Sequence, residues 1–441
     1  MDNELQILRH LARDAHPTVA VIDEYCAQYK DLFKEVRNYE CFKYLHLGII
    51  STIKRKSLPE IAKVVSINSA QSLHHFIANS DWSVEQLRSR RLAKIKKALH
   101  GNAITVVIDE TGDRKKGKKT DYVARQYLGS IGKIDNGIVS VNAYGVYCNI
   151  TFPLIVKVFK PKGTLKAEDK YQTKIELAAE VITELINEGF NIKLVLADSL
   201  YGESSQFLRK LAEHNLDYVV AIRSNHAVWL PASQSVRANK WSSFERTFSN
   251  QKSETRYIRE IIYGKKRAIT YWEITTDPET LPENSTTFVM TNLQGNLKKT
   301  LGGLYGLRTW VEYGFRQCKQ ELGWIDYRFT NFKHIEKWWE IIFCVYTMIS
   351  LDSPAFLALE QSPLETEEQK SNSINFSKHQ KWNPESGWKN VLNNFRLIVQ
   401  PLLLFWLIHP WLDIFPNSNL LLGFNYLISA MNQFKPFYSF G

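Results

Sequence analysis

The chain has 441 residues, a net charge of +11, 44% hydrophobic and 12% aromatic residues. This composition excludes a disordered chain and allows two or three domains with a substantial core. The Lys and Arg excess selects a polyanionic partner, nucleic acid ahead of an anionic membrane surface.

Five scattered cysteines without a C-x-x-C pair argue against a disulfide framework or zinc site, and for a reducing, cytoplasmic setting. The N-terminus, "MDNELQILRHLARDAH", is charged throughout and lacks a signal-type apolar core.

Residues 1–101 read as a basic helical region. In "SLPEIAKVV", Ser57 stands three residues before Glu60 at capping-box spacing, and Leu58, Ile61, Ala62 and Val65 recur with helical period. Asn68 is placed to cap a second helix, "SAQSLHHFIA". The two form a helix-turn-helix-like pattern at 57–79, with Gln71, Ser72 and His75 outward and Gln71 suited to an adenine edge. A third helix from about Ser83 to Gly101 carries Arg88, Arg90, Arg91, Lys94, Lys96 and Lys97, and Arg91 is expected to contact DNA phosphate.

Residues 102–224 read as an α/β core. "AITVVID" is a buried strand ending on Asp109; two or three further strands follow, then the amphipathic helix "YQTKIELAAEVITELINEG" and a second buried strand, "IKLVLAD", ending on Asp198. The helical crossover sets the two aspartate strands parallel, so both carboxylates emerge at one sheet edge. The loop "DRKKGKKTD" sets Lys115, Lys116 and Lys118 after Asp109 as a phosphate clamp. Residues 225–292 alternate in short runs and read as a β-rich insertion. Residues 293–350 return to the core, and 351–441 form a C-terminal helical region with a polar stretch at 361–385. Within it, "LIVQPLLLFWLIHPWL" is shorter than the roughly 20 residues of a membrane span and contains Pro401 and Pro410, so a buried helix is expected and no membrane partner.

The segment "RTWVEYGFRQCKQELGW" sets Arg308, Glu312, Arg316 and Lys319 on one helical face. Two strand-end aspartates could each simply cap the next turn. A third acid on a helix against the same edge makes a carboxylate triad suited to Mg²⁺ or Mn²⁺. Two such ions stabilise the attacking and leaving oxygens of an in-line phosphoryl transfer. Arg308, Arg316 and Lys319, with Tyr305 one turn earlier, are placed to hold the DNA strand.

Tyr305, Arg308, Glu312 and Lys319 match Y-x2-R-x3-E-x6-K at every interval, and "VIDETG" and "LADSLYGES" supply the two aspartates. The sequence resembles the DDE transposases of bacterial insertion sequences over about residues 103–350. The resemblance implies an RNase H-like mixed-sheet core with Asp109, Asp198 and Glu312 as the catalytic, metal-binding triad. It further implies contacts from Tyr305, Arg308 and Lys319 to the DNA end, and cut-and-paste movement of a DNA element. The expected partner is double-stranded DNA, engaged in the nucleoid by a homodimer, with two Mg²⁺ or Mn²⁺ ions as cofactors. Some related enzymes stack a flipped base on a tryptophan of the insertion, for which Trp229, Trp241 and Trp272 are available. Two other readings remain: an RNase H-like endonuclease or resolvase without strand transfer, and a non-catalytic transposase-derived DNA-binding protein.

Overall fold

The computed structural model describes residues 13–148, 150–230, 232–248, 252–265, 267–361, 375–385 and 387–434. Residues 1–12 of the N-terminal segment and 362–374 of the expected polar stretch lie outside the described residues. The chain divides into a helical unit, drawn from residues before 99 and after 316, and a sheet unit, Leu99–Arg316.

The helical unit begins with α1 (Ala20–Ala27), α2 (Val36–Ile50), α3 (Leu58–Val64), α4 (Gln71–Ala78) and α5 (Val84–Leu99). Pro59 near the start of α3 suits a first turn whose N–H groups have no intrahelical acceptor. Ser57 is the N-cap, but the expected capping box is not made: Glu60 pairs with Lys63 at 2.8 Å instead. The cap expected from Asn68 is not made: the residue before α4 is Ala70, which has no side-chain cap, and Ser69 Oγ accepts from the Gln71 amide at 3.1 Å. Leu73, Phe76 and Ile77 of α4 are buried while Gln71, Ser72 and His75 are exposed.

The basic stripe of α5 is only partly a surface. Arg91 is fully buried, with Nε 2.6 Å from Glu340 and the guanidinium 5.2 Å from the Phe343 ring centroid. Arg88 reaches Glu340 and Glu336, and Lys94 lies 4.6 Å over the Tyr25 ring. The expected phosphate contact by Arg91 is therefore overturned, because its charge is already spent inside the fold on a carboxylate distant in sequence.

The sheet unit contains β1 (Ile104–Arg114), β2 (Ala124–Leu128), β3 (Lys133–Tyr147), β4 (Ile150–Phe159), α6 (Lys174–Asn187) and β5 (Ile192–Ala197). There follow α7 (Ser199–Gly202), α8 (Ser205–Glu213), β6 (Tyr218–Ile222), β7 (Val236–Ala238), β8 (Ser242–Thr247), β9 (Ser253–Tyr263), β10 (Thr270–Thr275) and β11 (Thr287–Thr291). Two helices, α9 (Leu301–Gly306) and α10 (Thr309–Gln320), complete the run. The crossover helix α6 does have a capping box: Thr173 Oγ1 accepts from the Glu176 amide at 3.2 Å and the Thr173 amide donates to Glu176 at 2.7 Å. Its Leu177, Ala178, Val181, Ile182 and Leu185 are buried.

The strands form one 11-stranded mixed sheet in the order β2-β3-β1-β5-β6-β11-β10-β9-β7, with β4 on β3 and β8 on β9. β1, β5 and β6 are mutually parallel, as the crossover requires. The β-rich segment is no separate sheet: β11 pairs antiparallel with β6 and carries the core sheet outward. Buried Glu273 is balanced across that extension by Arg259 at 2.6 Å.

The helical unit ends with α11 (Phe332–Gln361), α12 (Trp388–Ile414) and α13 (Ser418–Met431). α11 is a core helix, with Trp339 stacked on Trp324 at 4.5 Å. In α12, Val391, Leu392, Phe395, Ile398, Val399 and Leu402 are buried. The buried helix expected at 397–412 holds only that far. Beyond Leu402 the helix is covered on one side only: Phe405 meets Phe424 of α13 at 5.7 Å and Trp406 meets Tyr44 at 6.1 Å, while Leu407, Trp411 and Ile414 are 67%, 63% and 64% exposed. Among the described residues α12 is the one helix long and apolar enough to cross a membrane.

Candidate active site

Parallel register brings the first two acids together. Ile108 of β1 is paired with Ala197, the last residue of β5, so Asp109 and Asp198 follow side by side on strands about 4.8 Å apart. β1 does not end at Asp109 as expected but runs on to Arg114, paired with β3. Asp109 is nearly buried: Oδ1 accepts from the Glu110 amide at 2.8 Å and Oδ2 from Arg308 at 2.9 Å. Burial pushes its carboxyl up to about 7, helped by Asp198 and Glu312 and opposed by Arg308. Asp198 is the N-cap of α7, with Oδ1 accepting from the Leu200 amide at 3.0 Å. Glu110, on the other face of β1, pairs with Lys174 at 2.7 Å.

Glu312 stands in the first turn of α10, where the helix N-terminus favours a carboxylate. Its side chain is 52% exposed and meets Arg308 at 3.2 Å. The signature is not carried by one continuous helix. Between α9 and α10 the amides of Leu307, Arg308, Trp310 and Val311 bond to the carbonyl three residues back, a tightened corner. That corner aims Arg308 between Asp109 and Glu312. Burial opposes its charge, and Tyr305, Asp109, Glu312 and Asp198 outweigh that, so its pKa is raised.

The glycines at this corner answer to the protein itself. A Cβ on Gly314 would lie 2.6 Å from the Tyr144 ring, and one on Gly302 would lie 2.2 Å from Phe244. At Gly306 it would meet the Arg246 stem at 3.2 Å.

Other expected contacts are dispersed. Arg316 is exposed, with its guanidinium 5.3 Å from the Tyr313 centroid, and Lys319 occupies the last turn of α10. Lys115, Lys116 and Lys118 lie past the end of β1; Lys115, six residues beyond Asp109, is about 20 Å along an extended strand. Lys115 is thus too far along the strand to share a phosphate with Asp109, against the clamp expected beside it. Of the three candidate tryptophans, Trp272 is 3% and Trp229 85% exposed, while Trp241 lies under Arg259 at 4.3 Å. The sequence reading missed Tyr201, fully buried with its hydroxyl lacking a hydrogen-bond partner and raised in pKa by burial, then by Glu110, Asp109 and Asp198. Its position in "LADSLYGES", three residues past Asp198, was the available signal.

The donor chemistry at this edge fits a hard divalent cation: three carboxylates, all oxygen, mutually destabilising without a positive charge among them. As they stand, no three acidic, histidine or cysteine side chains among the described residues converge on one ligation point. Arg308 instead bridges two of the three.

Two family models match the chain: DDE superfamily endonuclease over residues 28–246, and transposase DDE domain over residues 168–348. A probable transposase for insertion sequence element IS701 from Microchaete diplosiphon is 55% identical over 325 residues, covering 74% of this chain and 86% of that protein. The mixed α/β sheet is in keeping with both. The chain belongs to the DDE transposases of insertion sequences, enzymes that cut DNA with divalent metal ions.

Proposed function

We propose that the protein cleaves the ends of its insertion sequence and joins the freed 3′-OH to target DNA by two successive phosphoryl transfers. Asp109, Asp198 and Glu312 are the catalytic groups and would hold two Mg²⁺ or Mn²⁺ ions. When bound, such ions polarise the scissile phosphate and lower the pKa of an attacking water. Cleavage forms the bond from water oxygen to phosphorus and releases the 3′-OH; transfer forms the bond from that oxygen to a target phosphorus and releases a target 3′-OH.

The observation that carries this reading is the pairing of Ile108 with Ala197, which sets Asp109 beside Asp198, together with the Arg308 bridge from Asp109 to Glu312. Arg308 balances the carboxylates in the metal-free protein. Once cations are bound, its guanidinium is free to turn its fork toward a phosphate. Tyr305, Arg316 and Lys319 would steady the same strand, and Lys115, Lys116 and Lys118 would grip backbone farther along. Gln71, exposed at the start of α4, would read base edges as part of the DNA-binding region. Two copies acting on the two ends would make a homodimer on DNA.

The test is incubation of the protein with the DNA that flanks its own coding sequence and Mg²⁺, followed by mapping of the cleaved bonds. A pre-cut end should then join a target duplex. Cleavage without joining would assign a nuclease or resolvase instead, and binding with no cleavage a non-catalytic DNA-binding protein.

A further inference from the structure

A cluster of arginines adjoins the triad within the sheet unit. A cavity of about 160 Å³ lies between the β8–β9 hairpin and the α9–α10 corner, and Arg246, Arg256, Asn284, Tyr305, Arg308 and Thr309 are among its lining residues. That volume falls below the roughly 300–1,000 Å³ of ordinary small-molecule pockets. Arg246 and Arg256 are 11% and 15% exposed and share one carboxylate, Glu254, at 3.4 and 2.5 Å. The two guanidiniums share that one carboxylate in a largely desolvated place, with Glu312 of the triad the further acid acting on Arg246. Arg246 Nε is also buried with no acceptor. Burial, then Arg256, hold the Arg246 pKa below its ordinary value.

The surroundings look built to keep this charge in place. The Arg246 stem lies against bare Gly306, and Phe244 on the same strand fills the space left by Gly302 one turn earlier. Tyr305 and Arg308 line this cavity and also act on the triad, Arg308 by its contacts to Asp109 and Glu312 and Tyr305 by its proximity to Asp198 and Asp109. An anion seated here would thus be a near neighbour of one held over Asp109.

We propose that Arg246 and Arg256 form a second phosphate site, which takes a backbone phosphodiester next to the scissile one and so fixes the register of the DNA strand. The ligand is a DNA phosphodiester because the cavity opens beside the groups assigned to the scissile phosphate. This rests on the DNA-cleaving reading above.

The test uses the full chain and duplexes of the flanking DNA carrying a neutral methylphosphonate at one linkage at a time around the cleavage point. Binding without metal and single-turnover cleavage with Mg²⁺ are measured for wild type, R246Q and R256Q. For wild type, one linkage other than the scissile one should cost about 10–100-fold in binding, the range for losing charge-assisted hydrogen bonds. In R246Q that linkage should cost nothing further, while every other linkage keeps its wild-type penalty. A purely structural Arg246 would leave all penalties unchanged, and that result overturns the proposal. Should R246Q fail to fold, R256Q carries the same comparison. A linkage-specific loss in binding without any cleavage would keep the phosphate site and reject the transposase chemistry. Cleavage with unchanged penalties would do the reverse.

Discussion

Arg308 places a guanidinium between Asp109 and Glu312, at 2.9 and 3.2 Å, where the carboxylates would otherwise repel each other. Read from sequence alone it is an exposed stripe charge whose loss should barely affect stability. With its side chain 21% exposed, that expectation changes. Arg308→Ala should lower the stability of metal-free protein by about 1–3 kcal/mol, because a nearly buried carboxylate loses its partner. Added Mg²⁺ should narrow the difference by restoring positive charge; thermal melts with and without Mg²⁺ check this. An equal loss in both conditions would make Arg308 a packing residue. Arg91→Ala is expected to cost about 3 kcal/mol, since the fully buried Glu340 loses its 2.6 Å partner and keeps the longer contact to Arg88. DNA affinity of the folded fraction should stay unchanged. These two arginines show what a spacing pattern omits. The contact of Arg308 with Glu312 spans four residues and lies on one helical face, whereas its contact with Asp109 spans 199 residues and that of Arg91 with Glu340 spans 249, beyond the reach of a spacing pattern.

At the scale of elements, the two strands were legible because a continuous β-branched run and an amphipathic crossover leave few topologies. The role of the signature glycines was not, since the atoms they accommodate are remote in sequence. Gly314→Ala tests this directly. Helix propensity alone would favour alanine by about 1 kcal/mol. The added Cβ would lie 2.6 Å from the buried Tyr144 ring, and overpacking of that kind costs about 1–3 kcal/mol. Net destabilisation is therefore expected, with a fall in cleavage as α10 shifts Glu312. Gly306→Ala should be milder, because the side chain it meets at 3.2 Å is the flexible stem of Arg246. Melting temperatures of the two variants, ranked the other way, would count against this packing. Capping follows the same lesson. Ser57–Glu60 and Thr173–Glu176 have the same spacing, yet only the second makes the box, because Lys63 draws Glu60 away.

At the scale of the molecule, the helical unit is assembled from segments at both ends of the sequence. Removing residues 1–98 would strip Arg88 and Arg91 from Glu340 and uncover α11. Such a truncation is expected to aggregate, so loss of DNA binding by it would carry no information about recognition. Gln71→Ala in the intact chain is the cleaner probe. It should alter base preference at one position while leaving the salt dependence of binding unchanged, since a base-edge contact neutralises no phosphate. A change in salt slope with no change in preference would remove Gln71 from base reading. The central claim is that Asp109, Asp198 and Glu312 act as one metal-binding unit. Its most direct test is single-turnover cleavage of the flanking DNA in Mg²⁺ by Asp109→Asn, Asp198→Asn and Glu312→Gln, with DNA affinity measured on the same preparations. All three should bind DNA as the unaltered protein does and cut it at no detectable rate; cutting at the unaltered rate by any one of them would contradict the triad.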